Sequence, residues 1–189
     1  MKNKIKIFVK SISLIDILIF MIPIIIFGIA LYIYFPGIMT FDSYDQLYQI
    51  KESTFTNGHP FIHTFIELIL LKVFDSPSTI AIFQIMIFSL IWTIICKYNR
   101  KNYNNNLVVF LQIIFTFLVV LNPINSIHSI TLWKDILYSY CLLLFCFLVQ
   151  IGIDKAFKYK FKDLTLLSFV IILTTNLRHN GLIVTVGMT

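Results

Sequence analysis

A chain of 189 residues that is 58% hydrophobic and 13% charged, with a mean hydropathy of +0.87, lies outside the composition of soluble globular proteins. Its apolar residues come in blocks that suit bilayer crossings, so the sequence predicts an all-α integral membrane protein with several spans. A net charge of +6 would point to nucleic acid only if the basic residues shared one surface, and the topology below spreads them otherwise.

The first apolar block, Leu14 to Phe35, is too long for a signal-peptide core and has no small-residue cleavage site after it. It predicts a retained first span over 17–35. Pro36 and Gly37 then break the helix, and "FPGIMTFDSYDQLYQI" (35–50) places Asp42 and Asp45 among aromatics. A helix over 43–52 follows, with Asp42 as its cap and Asp45 at its third position, where the helix dipole favours negative charge. Tyr44, Leu47, Tyr48 and Lys51 share one face, and Asp45, Gln46, Gln49 and Glu52 lie toward another, as expected of a helix in the membrane interface. Two readings of Asp42 stand side by side: a carboxylate that only caps a helix, or a general base at the membrane surface.

"NGHPFIHTFIE" (57–67) comes next, with Pro60 at a helix start and His59 just before it. The apolar stretch 61–74 carries His63, Glu67 and Lys72 and is short for a crossing. Four-residue spacing of His59, His63 and Glu67 could serve a divalent metal, but Pro60 puts His59 at the helix edge and no HExxH pattern is present. No metal or other cofactor is therefore assigned. His59 reads as a capping or phosphate-contacting residue, and His63 as an interfacial side chain.

Further spans are expected over 80–96, 107–121, 136–151 and 164–177, with a sixth starting at Gly181. The positive-inside rule decides whether 61–74 crosses. If it lies along the outer interface instead, three basic groups become cytoplasmic together: Lys2, Lys4, Lys6 and Lys10; Lys97, Arg100 and Lys101; Lys155, Lys158, Lys160 and Lys162. These are most of the 15 basic residues, which assigns the N-terminus to the cytoplasm of a multi-pass cell-membrane protein and leaves nucleic acid out. Cys96, Cys141 and Cys146 fall in apolar runs without metal-ligand spacing and read as packing residues.

The same layout puts residues 36–78, Asn122 to Asp135, and Arg178 to Asn180 on the outer side. In "ITLWKDILYSY" (130–140), belt anchoring and snorkelling account for Trp133 and Lys134, whereas Asp135 at membrane depth calls for a partner or a polar cavity. "NLRHNG" (176–181) brings Arg178, His179 and Asn180 to that side against the charge bias, and a planar cation there suits a phosphate oxyanion. Carboxylates able to take a proton, cations able to hold a phosphate and aromatics at headgroup depth together suit chemistry on a lipid-linked phosphate.

The order PG…FDS…Q, HP, the Gln84-bearing span, NP…LWKD and LRHNG, from Pro36 to Gly181, resembles the bacterial polytopic membrane glycosyltransferases of the GT-C superfamily, relatives of the family 39 protein mannosyltransferases. The resemblance implies a GT-C-like helical bundle that transfers a sugar, with inversion, from a polyprenyl-phosphate donor to a cell-envelope acceptor at the outer face. It implies Asp42 as the catalytic base with Asp45 as its neighbour, and His59, Lys134, Asp135, Arg178 and His179 as substrate-binding residues. Many members need no metal. Members are also longer, so the chain is expected to be the N-terminal part of a larger module. Two other classes compete: a transporter or flippase component, which should carry polar groups to the bilayer midplane, and a non-catalytic assembly protein. The middles of the spans carry only mild polar groups such as Gln84, Ser89 and Gln112, and no charge, which favours an interfacial site.

Overall fold

The computed structural model describes residues 12–56, 58–103, 105–178 and 187. Every named element among them is an α-helix: α1 (Leu14–Ile33), α2 (Phe41–Glu52), α3 (Phe61–Val73), α4 (Ser78–Tyr103), α5 (Asn106–Leu121), α6 (Pro123–Ile130), α7 (Lys134–Asp154) and α8 (Phe161–Leu177). Three of them, α1, α4 and α7, are long and apolar enough to cross a membrane, with mean hydropathies of 2.8, 2.2 and 2.2 over their most apolar stretches. Helices α5 and α6 satisfy the same test only as a pair and are bent by 67° where they meet. At 17 residues, α8 sits at the lower limit of ~17 for a span. At 13 residues, α3 extends about 20 Å, well short of a hydrocarbon core ~30 Å thick.

Local sequence explains the helix ends. Ser13 and Asp16 form a reciprocal capping box at the start of α1, with Ser13 N donating to Asp16 Oδ2 at 3.0 Å and Asp16 N to Ser13 Oγ at 3.2 Å. The start of α2 corrects the sequence expectation: Thr40 is the cap, boxed with Ser43, and Asp42 lies one residue inside the helix. Thr40 wins because its hydroxyl and that of Ser43 satisfy each other's backbone N–H groups, leaving the Asp42 carboxylate free to reach elsewhere. Pro60 is likewise the cap residue of α3 rather than its first helical position. The stretch Asn122 to Asp135, expected as a plain loop, contains α6, started by Asn122 accepting from Ile124 N at 3.0 Å with Pro123 as its first residue.

Helix α1 runs opposite to α4 and α7, which share a direction. Asp16, near the start of α1, is 3.0 Å from Lys97 and pairs with Arg100, both near the end of α4. Tyr98 of α4 donates to Asp154 at the end of α7 at 2.8 Å, placing these termini at the same end of the bundle. Phe27, Leu31, Ile80, Ala81, Ile85, Phe88, Val120, Ile130 and Leu132 form the principal core, and α7 and α8 pack through Phe145, Leu148 and Val170. The outward faces remain apolar: Ile25 and Ile29 of α1, Phe110 and Leu118 of α5, and Phe169 and Ile172 of α8 are exposed, as in helices whose solvent is lipid. Residues 1–11 and 179–186, which include Lys2, Lys4, Lys6, Lys10, His179 and the start of the expected sixth span, lie outside the described residues.

Candidate functional site

At the end of the bundle opposite Asp16, two loop segments far apart in sequence pair. Ile38 and Thr131 form an isolated parallel bridge, with Ile38 N donating to Ile130 O at 3.0 Å and Leu132 N to Ile38 O at 2.9 Å. Gly37, at φ +121°, makes this approach possible, since a Cβ there would meet Leu132 Cδ1 at 2.8 Å and Ile130 O at 3.0 Å. From α4, the fully buried Gln84 sets its amide 3.1 Å from Thr131 O and 3.2 Å from Ser129 O, two acceptors that assign the amide nitrogen to that side as donor to both, and Ser43 Oγ donates to Leu132 O. The bridge sets the register. Asp42 lies four residues beyond Ile38 and Lys134 three beyond Thr131, so both leave the bridge on the same side.

The consequence is a continuous polar chain through three segments. Lys134 Nζ, at the first position of α7, donates to Asp42 Oδ2 at 3.0 Å and to His59 Nδ1 at 3.3 Å. Because an ammonium can only donate, His59 accepts at Nδ1 and presents its Nε2–H to Asp45 Oδ2 at 2.8 Å. Gln49 Nε2 donates to the same Asp45 oxygen at 2.8 Å, while its Oε1 accepts from Thr56 N at 3.3 Å and clips the α2–α3 linker. Next to Lys134, Asp135 Oδ1 lies 3.4 Å from Arg178 Nε, and the guanidinium sits 5.5 Å from the Tyr138 ring centroid.

The structure thus gathers Asp42, Asp45, His59 and Lys134 in one connected group and joins Asp135 and Arg178 beside it through the first turn of α7. The hydrogen bond from Lys134 holds the Asp42 carboxyl below the usual carboxylate range, against the opposing effect of burial. Side chains of Asp42 and Asp45 remain 34% and 43% exposed, so both are within reach of a molecule arriving from outside the bundle. The spacing that could have served a metal is divided: His59 faces Asp45 and Lys134, whereas His63 and Glu67 turn inward, and no group of three or more metal-ligating acids, histidines or cysteines forms among the described residues. His63 is completely buried rather than interfacial.

Helix α2 carries the tyrosines outward and its polar face inward. Phe41, Tyr44 and Tyr48 are exposed, while Ser43, Gln46 and Gln49 are buried. Ser43 and Gln84 as supports of the loop, and Gly37 as the point of close approach, are roles that the sequence does not announce. The recurrence of Ser43, Gln46 and Gln49 every three residues is the available signal. At the other end of the bundle, buried Asp16 joins Lys97 and Arg100, and Arg100 also donates to Gln112 Oε1 at 2.9 Å.

No protein-family model, curated protein or solved structure matches the chain.

Proposed function

We propose that the chain is a glycosyltransferase of the cell membrane, GT-C-like in architecture, which moves a sugar from a polyprenyl-phosphate donor to a cell-envelope acceptor at the outer face, with its N-terminus in the cytoplasm. The observation that supports this reading is the Asp42–Lys134–His59–Asp45 chain, in which two reachable carboxylates are joined through a lysine and an imidazole at one rim of an apolar bundle. Helix starts converge there. Asp42 is in the first turn of α2, His59 adjoins the cap of α3 and Lys134 opens α7, and neither Pro60 nor Trp133 caps its helix with a side chain. Three positive helix ends and a lysine favour an anion such as a phosphate diester.

In the proposed reaction an acceptor hydroxyl attacks the anomeric carbon, the bond from that carbon to the phosphate oxygen breaks, and the hydroxyl proton passes to the Asp42 carboxylate. Lys134 and Arg178 offset charge growing on the departing phosphate. Lys134 also links binding to chemistry: when a phosphate draws it from Asp42, the carboxylate loses its cation and becomes a stronger base. Asp45 and Gln49 hold the His59 ring in register. Exposed aromatics at this end, among them Phe41, Phe61 and Phe65, suit the headgroup layer.

The test is sugar transfer from polyprenyl-phosphate-linked donors by the protein in liposomes. Asp42→Asn removes the proton acceptor at nearly constant shape and is expected to lower turnover by about 10²–10⁴-fold. Undiminished transfer by this variant would remove Asp42 as base, and absence of transfer by the unaltered protein with every donor sugar tried would count against the class.

A further inference from the structure

Beneath the outer group lies a second polar cluster that the proposed reaction does not use. Gln46 of α2 is fully buried and reaches across to α3, its Nε2 donating to Thr64 Oγ1 at 2.9 Å and to His63 Nδ1 at 3.0 Å. An amide nitrogen has no acceptor capacity, so His63 Nδ1 carries a lone pair and the ring is neutral with its proton on Nε2. Glu67, one turn further along α3, is 1% exposed, with Oε1 at 3.6 Å from His63 Nδ1. Neither carboxyl oxygen has a hydrogen-bond partner among the described residues. An ionised carboxylate in that position would lose its hydration with nothing in return, so the neutral acid is the form this interface admits. Burial accordingly pushes Glu67 up to about 8 and His63 down to about 4, the latter helped by the nearby charge of Lys134.

We infer that Gln46 and His63 are positioning residues that hold Asp45 against His59. Asp45 adjoins Gln46 on α2, and His59 stands four residues before His63 on the approach to α3. The rim contact of 2.8 Å and the interior contact of 3.0 Å are therefore two rungs between the same pair of segments. The interior rung is screened from water and the outer one is half open to it, so the buried amide–imidazole contact fixes the separation that the exposed pair adopts. This arrangement requires the interface to be uncharged: a proton on His63 Nδ1 would meet the Gln46 N–H, and a charged Glu67 would draw water between the helices. The consequence for turnover rests on the transferase reading, whereas the geometry can be tested without any substrate.

The experiment uses the full chain in lipid nanodiscs with ¹⁵N-labelled histidine and reads the His59 Nε2–H resonance, the proton donated to Asp45. Gln46→Leu and His63→Phe are expected to shift that resonance or broaden it to loss, although neither residue touches His59. His63→Asn, whose side-chain oxygen can accept the same Gln46 hydrogen, is expected to restore it. An unchanged His59 signal in Gln46→Leu and His63→Phe, or an equal shift in His63→Asn, would overturn the inference. A second measurement stands if the apolar variants fail to fold: infrared spectra of the unaltered protein at pH 7 should contain the C=O band of a protonated carboxylic acid that Glu67→Gln removes. Absence of that band would sink the uncharged interface on which the positioning depends. Failure to find glycosyl transfer would leave both spectra as predicted, so the two proposals fail separately.

Discussion

Lys134 Nζ lies 3.0 Å from Asp42 Oδ2 although the two residues are 92 positions apart in the chain. Their meeting is fixed by the Ile38–Thr131 bridge and not by the helices alone. The pair sets a sign for the pH dependence of the proposed reaction. Lys134 depresses the Asp42 value, so the carboxylate survives to lower pH than an ordinary aspartate, and activity that needs it is lost only as pH falls through that depressed value. Lys134→Met should move the acid limb of kcat/KM to higher pH and, by removing one cation from the leaving phosphate, lower kcat by about 10²–10³-fold. Lys134→Arg, which keeps the charge, should retain the low acid limb. A pH–rate profile of the three proteins decides it, and an acid limb unmoved in Lys134→Met would separate Asp42 from the chemistry.

Gly37 is the narrowest point of that bridge. At φ +121° a side chain is strained, and its Cβ would press on Ile130 O, a backbone atom that cannot swing aside. Gly37→Ala should cost roughly 1–3 kcal/mol, seen as a thermal midpoint several degrees lower in detergent. It should also open the bridge. A disulfide between cysteines introduced at Ile38 and Thr131 is expected to form readily while Gly37 is kept and poorly once Gly37→Ala is added; equal cross-linking would mean that the backbone tolerates the added carbon.

The helices are legible because apolar blocks and their interruptions are properties of consecutive residues, and the expected bounds 43–52 and 61–74 fall close to 41–52 and 61–73. Asp42, Asp45, His59 and Lys134 can be picked out because acids, a histidine and a lysine at the edges of apolar runs are costly without a purpose. Their partners are harder to read. That His59 joins Asp45 while His63 turns away depends on one helical rotation after Pro60, which spacing alone does not fix. Asp42 reads as a helix cap because aspartate favours that position, yet Thr40 and Ser43 hold the better pair of hydroxyls. Asp16 carries little signal of its own, since it stands just ahead of residues 17–35. Its cationic partners arrive from α4 and cannot be foreseen without the packing.

That acid makes a prediction free of the proposed chemistry. Asp16 is 5% exposed and bonded to both Lys97, at 3.0 Å, and Arg100, itself largely buried. Truncating a buried carboxylate shared by two cations costs more than removing a surface pair, because positive charge is left without its counterion at low dielectric. Asp16→Ala should therefore destabilise the α1–α4 contact by about 3–5 kcal/mol. The check is a thermal midpoint in detergent, with Asp45→Ala, a half-exposed acid at the other end, as the comparison expected to lose far less. Similar losses in the two variants would argue that Asp16 is solvated in the membrane-bound protein.

The buried pair on α3 predicts how the docking of α2 on α3 responds to pH. Glu67 has its value raised to about 8, so its contribution is fully present below the ~4.3 of a solvated glutamate and is lost as pH rises through about 8. His63 is lowered to about 4, so its contribution is present above the ~6.5 of a solvated histidine and is lost as pH falls from there through about 4. Between the two solvated values the slopes oppose and nearly cancel. Above about pH 6.5 only the Glu67 slope remains, and stability should fall by up to ~1.4 kcal/mol per pH unit before levelling off beyond about 8. Thermal midpoints between pH 6.5 and 8.5 should decline for the unaltered protein and stay nearly level for Glu67→Gln, which keeps the shape and cannot ionise. Parallel declines in the two proteins would mean that Glu67 meets water in the folded state, and that the α2–α3 interface is more open than its burial indicates.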